Sequence, residues 1–301
     1  MEKVRIDFRD QIARNKRKSV FLMFSVIVFL VLLGWVISMA LNPVYFTLIM
    51  VIAIIFSIVY VVAGYYNSDK IAIASVGAKK ADRTKHKDFY SLVEGLTIAS
   101  GLPMPKLFVM PSKQINAFAS GRDPNHAVIC VTEGALDKLE RRELEGVLAH
   151  ELGHVGNYDM RYMTTVAVLV GMVAIISQMF LRSLWFGGGR GGNDNKLQWV
   201  FMLIGIVLAI LAPIAVYFVQ MSISRKREYS ADASAVKFTR YPQGLIGALK
   251  KIKSDYAYDN SKMHKKKPTK ALSPLFFTNP MSNLGSTHPK VEDRIKALEK
   301  M

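Results

Sequence analysis

The chain has 301 residues, 51% of them hydrophobic, and a mean hydropathy of +0.21, which excludes an ordinary soluble domain and assigns part of the chain to lipid. Lys and Arg number 40 against 23 Asp and Glu, for a formal net charge of +17. No paired zinc-finger cysteines or aromatic RNP pattern accompany that charge, so nucleic acid is set aside as a partner in favour of a bilayer with anionic lipid.

Residues 1–18 form a basic N-terminus containing Lys3, Arg5, Arg9, Arg14, Lys16, Arg17 and Lys18. From Ser19 to about Leu41 no residue is charged, and a helix needs about 20 apolar residues to cross a bilayer core. Asn42-Pro43 interrupts the helix. A second uncharged run from Val44 ends in Tyr65 and Tyr66, an aromatic pair of the kind found at interfaces. Residues 19–66 thus read as a transmembrane hairpin. The first run is too long for a cleaved signal peptide, and the second follows too soon.

Residues 67–161 read as water-soluble. Helical spacing over Asp88–Ala99 is stopped by Gly101-Leu102-Pro103. Lys106–Met110, Ile115–Ala119 and His126–Val131 read as strands of a small sheet, and Cys130, the one cysteine, as a buried strand thiol. A helix is expected over Arg141–Asn157. A second hairpin is expected over 162–219, its runs joined by the Gly-rich stretch 187–192, and a basic segment over 220–301. The distribution of Lys and Arg places 1–18, 67–161 and 220–301 in the cytoplasm.

Within the Arg141–Asn157 helix stands H-E-x-x-H, as His150, Glu151 and His154. Residues one helical turn apart project from one face, so the two imidazoles can share a zinc ion. Glu151 beside them is placed to take a proton from water. Catalytic zinc usually has a third protein ligand, and the best candidate is Glu228, with Asp232 one turn further on the same face. One of these carboxylates is expected to ligate and the other to orient a ligand histidine. Two membrane crossings separate the motifs, and an even number returns both to one side.

His150–His154, Arg227-Glu228-Tyr229-Ser230-Ala231-Asp232 and Thr287-His288-Pro289 together resemble the bacterial HtpX heat-shock zinc endopeptidases, relatives of the CAAX prenyl proteases. The resemblance covers nearly the whole chain. It implies an α+β fold, with four transmembrane helices and a mainly helical gluzincin-type domain carrying a small β-sheet. It implies one Zn2+ ion per subunit held by His150, His154 and Glu228, with Glu151 as the catalytic base and Asp232 behind a ligand. His288 becomes a candidate for the oxyanion, and Arg294 faces the site as a supporting residue behind the ligands, as Asp232 does. The strand carrying Asn116, Ala117 and Phe118 is a candidate to bind a protein or peptide substrate by pairing main chain to main chain. The implied setting is the cell inner membrane, with the catalytic segments facing the cytoplasm and quality control of membrane proteins as the role. Two other readings stay open: a protease with its metal buried in the bilayer, and a non-catalytic membrane adaptor that has kept the fold.

Overall fold

The computed structural model describes residues 8–40, 43–166, 207, 225–260 and 289–301. Most of the second expected hairpin and His288 lie outside the described residues.

Helix α1, Phe8–Ala40, runs without a break from the basic N-terminus into the first uncharged stretch. A short 3-10 turn at Pro43–Tyr45 leads into α2, Phe46–Tyr66, and the two helices pack along each other. Val26 and Val61 are buried between them, and a Cβ added at Gly34 would collide with that of Ala53. Their outer faces expose Phe21, Phe24, Leu32, Trp35, Ile55 and Phe56. Continuous apolar surface of this extent suits hydrocarbon rather than water. Hydroxyls on the two helices bond back along their own backbone, Ser25 to Phe21 O at 2.9 Å and the buried Ser57 to Ile54 O at 2.8 Å. Among the described residues one helix, Phe46–Tyr66, is long and apolar enough to cross a membrane by length and composition.

Helix α3, Ser68–Ser75, and the short strand β1, Lys79–Lys80, connect the hairpin to α4, Lys87–Ser100. α4 buries Phe89, Leu92, Val93 and Leu96, one stripe at helical spacing. Gly101 ends it in the left-handed region, at φ 71°, where a residue without Cβ carries no strain. Strands β2 (Lys106–Met110), β3 (Ala117–Ser120) and β4 (Val128–Thr132) complete a four-stranded sheet of order β1-β2-β4-β3. β2 pairs with β4 in parallel, while β1 and β3 run antiparallel to their neighbours. All of β4 is buried because both faces of the sheet are covered. Ile129 and Val131 face the main core, whereas Val128 and Cys130 join Phe118 and Met163 on the other side. Cys130 is therefore the buried thiol expected, its pKa pushed up by burial.

After α5, Glu133–Lys138, the central helix α6 spans Arg141–Gly156 and is buried almost throughout. Glu143 reaches back to accept the Glu140 backbone N–H at 2.8 Å, fixing its first turn. The chain turns at Asn157 and Tyr158, and residues 159–166 (α7) are helical. Helices α8 (Arg225–Thr239), α9 (Pro242–Asn260) and α10 (Val291–Leu298) pack around α6 and one another.

Several boundaries differ from expectation. The strand expected over Ile115–Ala119 lies at Ala117–Ser120, because Asn116 bonds Thr132 by main chain and turns into the sheet. The strand expected from His126 begins at Val128, because Asp123 caps a 3-10 turn at Pro124–His126. α5, α9 and α10 were not among the expected elements, and the sheet has one strand more than the three read from the sequence.

Two α6 glycines permit close packing. A Cβ at Gly146 would lie 2.6 Å from the Leu245 backbone nitrogen and 2.8 Å from its Cα on α9. Backbone has little room to yield, so Gly146→Val should destabilise the fold by about 1–3 kcal/mol. A thermal melt would read this as a lowered midpoint, and an unchanged midpoint would contradict the packing described.

Candidate metal centre

The H-E-x-x-H residues lie on the buried face of α6, with His150 0%, Glu151 2% and His154 6% exposed. α8 crosses that face and brings in Glu228, also 2% exposed. Its Oε2 lies 3.8 Å from His150 Nε2 and its Oε1 3.7 Å from His154 Nε2. Each of the three side chains has a donor atom within 4.8 Å of the other two. A tetrahedral ion about 2.0–2.2 Å from each donor sets donors about 3.4 Å apart, near the 3.8 and 3.7 Å that separate Glu228 from the two imidazoles.

The second nitrogen of each ring is held from behind. His150 Nδ1 is 2.8 Å from Asp232 Oδ1, and His154 Nδ1 is 3.2 Å from Asp159 Oδ2. Both Nε2 atoms are thereby turned towards Glu228. Such carboxylate–histidine pairs fix tautomer and orientation at metal sites. The donor set and its backing carboxylates therefore fit a divalent ion.

Arg294, from α10, is 1% exposed and grips Asp232 by both edges. Its Nε donates to Oδ2 at 2.9 Å and its Nη2 to Oδ1 at 2.6 Å, while Nη1 lies 3.5 Å from Glu228 Oε2. It backs the cluster from behind, through Asp232 and Glu228.

Electrostatics separate the two histidines. Burial, with Arg294 beside it, lowers the His150 pKa to about 4, so the ring is neutral and donates to Asp232. Burial also disfavours charge on His154, but Asp159 and Glu228 outweigh it and raise its pKa to about 9. A cation binding there displaces a proton from that ring. Glu151 is pushed up to about 7 by burial, reinforced by the neighbouring Glu228. A carboxyl so tuned can accept and return a proton near neutral pH.

Glu151 also accepts a backbone hydrogen bond from Ala119 of β3, the strand at one edge of the sheet. The Asn116 side chain accepts the Ala117 N–H at 2.9 Å, and Ala117 and Phe118 are buried. What β3 presents beside Glu151 is main chain.

The structure thus brings together His150, Glu151, His154, Glu228, Asp232 and Arg294; of the strand expected to bind substrate it is Ala119 that reaches Glu151, while Phe118 points to the other face of the sheet; His288 is outside the described residues. Asp159 and the Ala119 N–H were not assigned from the sequence. A carboxylate immediately before an apolar run, five residues past His154, was the available signal for Asp159.

A histidine pair on one helix, a carboxylate from a second and a buried acid between pair and sheet edge define a metalloprotease. The family model for Peptidase family M48 matches residues 83–301. A protease HtpX homolog of Caldanaerobacter subterraneus subsp. tengcongensis is 40% identical over 300 residues, covering 96% of each chain. One of Lactobacillus helveticus is 39% identical over 306 residues, covering 97% of this chain and 99% of its own. The chain belongs to peptidase family M48 and, within it, to the HtpX proteases. The crystal structure of S. mikatae Ste24p superposes with a TM-score of 0.50 at 19% identity, covering 96% of this chain and 67% of that one, a likeness of fold.

Arg294 and Asp232 are buried charges that stabilise only as a pair. Removing the cation leaves a carboxylate uncompensated at a cost of about 3–5 kcal/mol. Arg294→Leu should accordingly unfold at a clearly lower denaturant concentration. Equal midpoints for variant and parent would show the pair to be dispensable.

Proposed function

We propose that the chain is a membrane-anchored zinc endopeptidase that cuts membrane or cytoplasmic polypeptides at the cytoplasmic membrane surface, in protein quality control and the response to stress. The observation that carries this reading is the convergence of both imidazole Nε2 atoms on Glu228, with Glu151 buried beside them against β3, an edge strand of the sheet. His150, His154 and Glu228 would hold one zinc ion per subunit, which when bound acidifies a water and polarises the scissile carbonyl. Glu151 takes the water's proton and returns it to the leaving amine. Asp232 and Asp159 keep the two rings turned inward. β3 offers its main chain to an extended peptide, which favours polypeptide substrates over small ones. His288 retains its role as a candidate donor to the oxyanion.

The basic N-terminus, the apolar hairpin and the charge distribution support attachment to the cell membrane with the site on the cytoplasmic side. The intramembrane alternative is disfavoured by the polar flanks of α6, where Arg141, Arg142 and Glu145 make ion pairs at its start and Tyr158, Asp159 and Arg161 follow its end. A non-catalytic adaptor is disfavoured because Glu151 stands buried at a cost that scaffolding would not require.

Glu151→Gln should bind zinc with the stoichiometry of the parent and lose casein cleavage by at least about a hundredfold, the range set by general-base removal. Chelator should abolish cleavage by the parent, and zinc should restore it. Undiminished cleavage by the variant would overturn the mechanism, and chelator-insensitive cleavage would overturn the metal.

A further inference from the structure

Asn15 lies on α1 four residues before the uncharged stretch begins, and it is 3% exposed. Its Nδ2 donates to Asp159 Oδ1 at 2.7 Å and approaches the carbonyl oxygen of Asn157 at 3.3 Å. The other Asp159 oxygen, Oδ2, is the one 3.2 Å from His154 Nδ1. A single carboxylate thus joins the N-terminal helix to a histidine of the metal centre.

The turn that carries Asp159 needs such support. Tyr158 has φ 56°, a left-handed backbone that a bulky residue adopts only when its surroundings impose it. Lys16, next to Asn15, holds its ammonium 4.5 Å above the Tyr158 ring. Asn157 Nδ2 donates to Ser230 Oγ at 3.4 Å, tying the turn to α8. Adjacent residues of α1 therefore clamp adjacent residues of the turn. Arg227 Nε comes no nearer to Asp159 than 3.9 Å, so the Asn15 amide is the closest donor to that carboxylate. Without it, Oδ1 loses its short hydrogen bond, and the carboxylate plane that orients His154 is no longer fixed.

We propose that Asn15 is a positioning residue of the metal centre: through Asp159 it fixes the ring orientation of His154, which makes the N-terminal helix part of the site as well as an anchor. The proposal rests on the reading of His154 as a metal ligand.

The test uses the full chain in detergent, stripped of metal, with zinc alone titrated against a chromogenic chelator. Asn15→Ala removes the donor, and Asn15→Asp keeps the size but sets an acceptor against Asp159. Both should weaken zinc binding by about tenfold, the low end of the range for residues behind a ligand. They should lower kcat on casein and leave KM unchanged, since the peptide edge is elsewhere. Arg17→Ala, an exposed neighbour on α1, should behave as the parent does. In an Asp159→Ala background, which removes the shared acceptor, Asn15→Ala should cost nothing further, because both residues act through one contact. Zinc affinity within about twofold of the parent in either folded Asn15 variant, or losses that add to that of Asp159→Ala, would overturn the proposal. His154→Ala separates the two readings. If it retains zinc at parental affinity, the ligand reading fails; if it loses zinc while the Asn15 variants bind normally, only the positioning role fails.

Discussion

The site depends on how closely α8 can approach α6. A Cβ at Gly153 would lie 2.9 Å from Ser234 Cβ and 3.2 Å from the Ala231 Cα and carbonyl oxygen. Gly153 stands between Glu151 and His154 in sequence, so the absence of its side chain sets the helix separation where the metal donors meet. Glu228 is a long side chain, yet its carboxylate has to come within 4 Å of two imidazoles from the neighbouring helix. A wider crossing would leave two histidines and a distant acid. The small residues Ala231, Ser234 and Ala235 on the facing side of α8 are buried for the same reason.

Bringing the helices together concentrates charge. Among the described residues the buried Asp, Glu, Lys and Arg side chains are Glu151, Asp159, Arg227, Glu228, Asp232 and Arg294, and they form one cluster. Four carboxylates and two guanidiniums leave an excess of two negative charges when all are ionised and the imidazoles are neutral. A divalent cation offsets that excess, whereas neither His150 nor Glu151 can do so without giving up its role. The raised pKa values of Glu151 and His154 are the protein's own partial answer, each drawing a proton towards the cluster. Cation affinity and base strength therefore arise from one arrangement: the burial that makes Glu151 a better proton acceptor also makes its neighbours better ligands.

The sequence carried the local parts of this centre and lacked the long-range ones. His150, Glu151 and His154 are related by one helical turn, and so are Glu228 and Asp232. Their spacing states the geometry outright, and span counting allowed the two sets to meet. The α4 helix was equally legible from its stripe. β4 could be read as a strand, but a continuous apolar run says nothing about register, and its start moved to the far side of the Asp123 cap. α9 was missed because its lysines dominate the composition of residues 220–301. Its buried Leu245, Ile246, Leu249 and Ile252 do carry the helical period. Asn15 and Asp159 could not have been paired from sequence. They lie 144 positions apart, and neither belongs to a motif that implies the other.

The same elements bear on what the proposed enzyme would recognise. The side chains of β3 are already committed: the Asn116 amide shapes the strand's entry, Ala117 and Ala119 pack in the main core, and Phe118 fills the opposite face of the sheet. On the proposed reading, recognition along that edge would fall to main-chain groups, which all polypeptides share, and would discriminate little by sequence. Selectivity would then come from which chains can reach the edge. Asn15 is four residues, about 6 Å of helical rise, from the start of the apolar stretch at Ser19, and it touches the carboxylate that backs His154. In the proposed orientation the centre stands within about a helical turn or two of the lipid. An unfolded segment leaving the bilayer would meet it before a folded domain could. Proximity to the membrane, held by the docking of α1, would then do the selecting that the sheet edge does not.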